Sequence, residues 1–158
     1  FIREIPIKPG DFIQIDPGTV HAIKGGTQLL ETQQSSDITY RVYDYDRLSN
    51  GKPRQLHIAQ SIDVITVPAK SADNSVVHTE KKDDAIQQLI RCPYYTVYRI
   101  DVEHRVETWH KPFVLMSVVE GEGTLNGTHL KKGDHLILPD GYGKVELQGR
   151  MQIIASTI

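Results

Sequence analysis

The chain has 158 residues, 39% hydrophobic and 24% charged, with a formal net charge of −2. That length suits one or two domains with a real core, and the balanced composition excludes a disordered chain and a basic, nucleic-acid-binding one. No run of ~20 apolar residues suits a membrane span, and the one cysteine, Cys92, excludes an internal disulfide framework or an all-cysteine zinc site and points to a reducing, cytoplasmic setting.

Short apolar runs broken by Gly, Pro, Asn and Asp about every ten residues predict an all-β chain. Ile5–Ile7 leads into a Lys8-Pro9-Gly10-Asp11 turn, and Phe12–Ile15 forms a strand closed by Asp16-Pro17-Gly18. Val20–Ile23 restarts, and Gly25-Gly26 ends it. Gln28–Gln34 and Ile38–Tyr45 are expected to pair across a Ser35-Ser36-Asp37 turn, whose side chains can bond the backbone. Residues 46–55 are polar and predict a loop. Leu56–Ile65 predicts a short helix. Residues 68–84 are polar and charged, as in a linker or surface excursion, and Ile86, Leu89 and Ile90 fit either a helical turn or a strand. Tyr94–Val102, Phe113–Val119, Thr124–Leu125, His135–Leu138 and Met151–Ser156 complete a second β-rich block.

An internal repeat organises these elements. Lys8-x-Gly10-Asp11, four residues, then Asp16-Pro17-Gly18 recurs 123 positions on as Lys131-x-Gly133-Asp134, four residues, then Pro139-Asp140-Gly141. Two copies of turn, short strand and turn imply two similar β-units. The alternative is a coincidence of common turn residues. In the first copy, Gly10 is followed after five residues by Asp16-Pro17-Gly18 and after two more by His21. This resembles the second motif of the cupin family, with the proline displaced by one position. In cupins that histidine is a metal ligand inside a β-barrel. One imidazole suits Zn, Fe, Mn or Ni alike. In the second copy Lys144 stands at the histidine position, and no His-x-His precedes Gly121-Glu122-Gly123. The second unit is therefore expected to be metal-free and structural.

The run Glu31-Thr32-Gln33-Gln34-Ser35-Ser36-Asp37-Ile38-Thr39-Tyr40-Arg41-Val42-Tyr43-Asp44, with Asp46-Arg47 after it, resembles type I mannose-6-phosphate isomerase in its short bacterial form. The resemblance covers the chain but only the later half of the family's length. It implies cupin-like jelly-roll β-barrels with short helical and loop insertions, one barrel truncated at its N-terminal side and one complete. Residues 1–67 would be the end of the catalytic metal-binding domain, 68–84 a linker, and 85–158 the metal-free domain. It implies one Zn2+ ion held by a Gln, a His and a Glu that would lie before Phe1, together with His21. The other histidines, His57, His78, His104, His110, His129 and His135, match no ligand pattern of the family.

By the same resemblance, mannose 6-phosphate and fructose 6-phosphate interconvert through an enediolate. Arg41 matches the catalytic arginine, which offers a fixed cation to the developing oxyanion. Glu31 fits a general base or a sugar-hydroxyl partner, and equally a structural partner of Arg41. Asp37 matches the substrate pocket, or caps its turn. Arg47 can grip a phosphate bidentately, or stand solvated in its loop. A chain that starts at Phe1 is expected to be processed or a fragment, with the missing N-terminal portion as a possible partner and negligible activity alone. The other expected partner is a small phosphosugar, with no nucleic acid and no membrane. A metal-free sugar-phosphate sensor or regulatory module is the competing reading.

Overall fold

The computed structural model describes residues 3–36, 38–69, 75–108 and 112–158. The chain divides into two compact units, one of Phe1–Ile5 with Ile13–Val76 and one of Pro6–Phe12 with Val77–Ile158. No helix among the described residues is long and apolar enough to cross a membrane.

The second unit is a seven-stranded antiparallel sheet. Its strands are β5 (Ala85–Arg91), β6 (Thr96–Val102), β7 (Arg105–Thr108), β8 (Val114–Leu125), β9 (Thr128–Lys131), β10 (His135–Leu138) and β11 (Val145–Thr157). The order is β10-β8-β11-β6-β5, with β7 on β11 and β9 on β8. The two long strands each change partner halfway. β11 pairs with β7 over Val145–Gln148 and with β6 over Met151–Thr157. β8 pairs with β10 over Val114–Ser117 and with β9 over Glu122–Leu125.

Alternation sets the core. On β11, Val145, Leu147, Met151, Ile153 and Ala155 are all buried, one residue in two, as a half-buried strand requires. On β8 the buried residues run Met116 and Val118, then Leu125, so the parity flips. The flip is a bulge: Gln152 faces Glu120, but Ile153 faces Val118, which leaves Val119 as the extra residue. Two predicted strands, Phe113–Val119 and Thr124–Leu125, are thus one bulged strand. Beside the bulge the backbones close tightly. A Cβ on Gly121 would lie 2.0 Å from the Arg150 carbonyl oxygen, and one on Gly149 would lie 2.6 Å from the Gly123 Cα. Only glycine permits that approach. Burying Leu147 and Ile153 fully, at 0% exposure each, contributes about 2 kcal/mol apiece before entropy.

The first unit is built differently. Its regular elements are β2 (Leu48–Ser49), β3 (Lys52–Pro53) and the helix α1 (Ile58–Val64). Two further short strands, β1 (Phe12–Ile13) and β4 (Val76–Val77), pair with each other. The helix lies where the sequence places it. The strands expected at Ile5–Ile7, Val20–Ile23, Gln28–Gln34 and Ile38–Tyr45 do not form among the described residues. Their apolar side chains find no facing layer: Val20, Ile23, Leu29, Ile38 and Tyr43 are all exposed. β2 and β3 replace part of the expected 46–55 loop. Asn50 and Gly51, both at positive φ (52° and 75°), make the two-residue turn that suits a hairpin.

The sequence repeat is physical. In the first copy the Asp11 N–H donates to the Lys8 carbonyl at 3.1 Å and the Lys8 N–H to Asp11 Oδ2 at 2.9 Å. In the second, Asp134 and Lys131 make the same two bonds at 3.0 and 2.8 Å. Gly10 and Gly133 sit at φ 90° and 92°, which a turn with a left-handed third residue demands. The closing turns match as well. Thr19 N–H bonds Asp16 O and Tyr142 N–H bonds Pro139 O, both at 3.2 Å, over Gly18 and Gly141 at φ 81° and 77°.

Candidate functional site

All the residues singled out for chemistry fall in the first unit. His21 follows the Asp16–Thr19 turn and is exposed. Its Nδ1 bonds the Thr19 carbonyl at 2.9 Å. The carbonyl can only accept, so the neutral ring carries its proton on Nδ1 and leaves the Nε2 lone pair for a ligand. Gly18 fixes this turn against the chain after α1. The Thr66 N–H donates to Gly18 O at 3.0 Å, and a Cβ on Gly18 would lie 2.7 Å from the Val64 carbonyl.

Arg41 sits at the root of a closed loop. Its N–H donates to His57 Nδ1 at 3.2 Å, and the His57 N–H donates to the Arg41 carbonyl at 2.8 Å. Further up, the Asp44 carboxylate takes both Nε and Nη2 of Arg54. The β2–β3 pair closes the tip. Between these tethers Tyr45 and Asp46, both at φ 55°, turn the chain, and Arg47 N–H bonds Asp44 O at 3.1 Å. The Arg47 guanidinium lies 5.4 Å from the Tyr45 ring centroid, in cation–π range. The Arg54 hydrogen bond holds the Asp44 carboxyl below its ordinary range, and the charges of Arg54, Arg47 and Arg41 reinforce this against the effect of burial. Asp44 and Arg54 are the members of this cluster that sequence reasoning missed. The signal was present in the mixed acidic and basic residues of 41–54.

His57 stands at the N-cap of α1, and Gly18 bonds Thr66 just past its end. One helix of seven residues, on the order of 10 Å long, therefore anchors both the His21 turn and the Arg41 loop. Glu31 is exposed, and Asp37 lies outside the described residues. Among the described residues no hydrogen bond or ion pair joins His21, Glu31, Arg41 and Arg47 to one another.

The chemistry of the donor set tests the implied zinc. Among the described residues no group of three or more His, Cys, Asp or Glu could hold a metal ion. A catalytic zinc takes three protein ligands. Among the described residues that site is not made, and His21 presents a single imidazole Nε2. In the second unit the position matching His21 holds Lys144, whose Nζ pairs with Glu107 at 2.7 Å. That ion pair is exposed and leaves no imidazole there.

The family model for the mannose-6-phosphate isomerase cupin domain matches residues 85–158. The chain is 44% identical to mannose-6-phosphate isomerase ManA of Bacillus subtilis over 98% of its own length and 51% of that protein's. It is 42% identical to mannose-6-phosphate isomerase of Streptococcus mutans, over 98% of this chain and 51% of that one. It thus spans about half the length of the curated relatives it matches. Among solved structures it resembles the mannose 6-phosphate isomerase of Bacillus subtilis with a TM-score of 0.59 and 35% identity, over 75% of this chain and 40% of that one.

Proposed function

We propose that the chain, which matches the mannose-6-phosphate isomerase cupin-domain model over residues 85–158 and resembles such isomerases along 98% of its length, forms part of a cytoplasmic enzyme of that family that interconverts mannose 6-phosphate and fructose 6-phosphate, with zinc as the metal. Residues 1–67 close the catalytic metal-binding domain, 68–84 connect, and 85–158 are a metal-free support. His21 gives one zinc ligand through Nε2; the others come from outside these residues. Arg41 stabilises the oxygen that gains charge as the enediolate forms, because a fixed guanidinium in a water-poor site needs no reorganisation. Glu31 moves the proton between the adjacent carbons or holds a sugar hydroxyl. Arg47 takes the phosphate with Asp37 beside it in the pocket; Arg41, Arg47, Lys52 and Arg54 against Asp44 and Asp46 leave this loop cationic.

The observation that supports this reading most is the shared anchoring of the Gly18–His21 turn and the Arg41 loop on α1. Arg41→Ala tests it in the competent protein that contains this chain. The expected result is a fall in kcat of about 100-fold or more with KM changed little, since the interaction forms chiefly in the transition state. Unchanged kcat with a raised KM would overturn the role. The competing reading, a metal-free sugar-phosphate-binding module, draws on the lack of a ligand group among the described residues. It requires sugar-phosphate binding without any chelator-sensitive turnover.

A further inference from the structure

We propose that His57 is a positioning residue for Arg41, a role that rests on the isomerase reading of that arginine. Arg41 lies in no strand, so no ladder holds its backbone. His57 supplies the substitute from both sides. The ring accepts the Arg41 N–H at 3.2 Å, and the His57 N–H returns a bond to the Arg41 carbonyl at 2.8 Å. These bonds act on the two peptide groups flanking the Arg41 Cα, so together they set the direction in which the guanidinium leaves the chain.

His57 is itself fixed. Its carbonyl accepts the Ser61 N–H at 2.9 Å and the Ser61 hydroxyl at 2.7 Å, and Ser61 is 3% exposed. The Tyr40 ring stands 6.0 Å from the imidazole, centroid to centroid. The bond to the Arg41 N–H needs a lone pair on Nδ1, so the ring is neutral with its proton on Nε2. This is the opposite tautomer to His21, whose Nδ1 donates to Thr19. The main-chain bond survives any substitution at 57 except proline; the ring bond does not. A misplacement on the order of 1 Å costs roughly 100-fold in rate, so loss of the ring acceptor should register in kcat.

The test has two parts. Nitrogen-15 shifts of the unsubstituted chain should show the His57 proton on Nε2, with the Arg41 amide protected from exchange. An Nδ1-protonated ring, or an Arg41 amide that exchanges as fast as a free one, overturns the proposal. In the competent protein, His57→Leu should lower kcat about 10- to 100-fold with KM for the sugar phosphate little changed. His57→Asn should restore most of kcat, because its Oδ1 stands near the Nδ1 position and can accept the same N–H. A role confined to stability predicts unchanged kcat in both variants once folded, and that result overturns the proposal. If His57→Leu does not fold, His57→Asn and the tautomer measurement still decide. Should Arg41→Ala keep full turnover, the isomerase reading of Arg41 fails. Should Arg41→Ala abolish turnover while His57→Leu keeps it, only the positioning role fails.

Discussion

The two units solve the same problem in opposite ways. The second buries Leu147, Val97, Val102, Val118 and Ile153 to 2% exposure or less, within a sheet whose long strands hold two partners each. The first, among its described residues, buries Ser61 alone, and leaves Ile62, Val67, Ile38 and Leu48 more than 60% exposed. It is held by turns and polar tethers: Gly18 to Thr66, Arg41 to His57, Asp44 to Arg54. Every described candidate residue lies in that unit. The second unit is organised by a buried core, and the unit that holds the candidate residues is organised by local bonds.

Point substitutions should break this contrast if it is wrong. Ile153→Ala should cost about 2–5 kcal/mol in urea unfolding, because a fully buried side chain leaves a cavity. Ile62→Ala, on an α1 position 69% exposed, should change stability by about 0.5 kcal/mol or less. Equal costs would mean the first unit has a core of its own. Backbone approach gives a second pair. Gly149→Ala, forced against the Gly123 Cα at φ 115°, should cost about 3 kcal/mol. Gly127→Ala, at φ 82° with nothing within 4 Å, should cost about 1 kcal/mol from the backbone alone.

Acid sharpens the comparison with a smaller effect. Asp84 receives the N–H groups of His104, Glu103 and Arg105 between 2.9 and 3.0 Å. The His104 N–H above all lowers its pKa from 3.8 to about 2. A carboxylate depressed in the folded state stabilises above its unfolded pKa, and that stabilisation disappears as pH falls through the folded value. Tm of the second unit should therefore drop between about pH 4 and pH 2. Asp84→Asn should flatten that drop; an unchanged slope would remove Asp84 from the account.

Much of the second unit was legible in the sequence because alternation and burial coincide there. His135–Leu138 forms at the expected residues, and Tyr94–Val102 and Met151–Ser156 fall on β6 and β11. β7 and β9 escaped because each buries one side chain, Val106 or Leu130, too little for a periodic signal. Asn126-Gly127, at φ 47° and 82° between β8 and β9, was the missed cue, as was Asn50-Gly51 in the first unit. The repeated turns were readable because glycine at positive φ leaves few alternatives. The Gln28–Tyr45 hairpin failed because apolar alternation makes a strand only where a second layer receives it. Of the candidate site, the motif residues could be named from the sequence. Their attachment to α1 could not, since bonds such as Arg41 to His57 have no local pattern.

Turnover of mannose 6-phosphate by the 158-residue chain, alone and mixed with a polypeptide matching the remaining half of its relatives, tests the central claim most directly. The account predicts negligible turnover alone, because in the proposed site His21 would be one ligand where three are needed. It predicts chelator-sensitive turnover on mixing, lost again with Arg41→Ala. Chelator-sensitive turnover by the chain alone would contradict it.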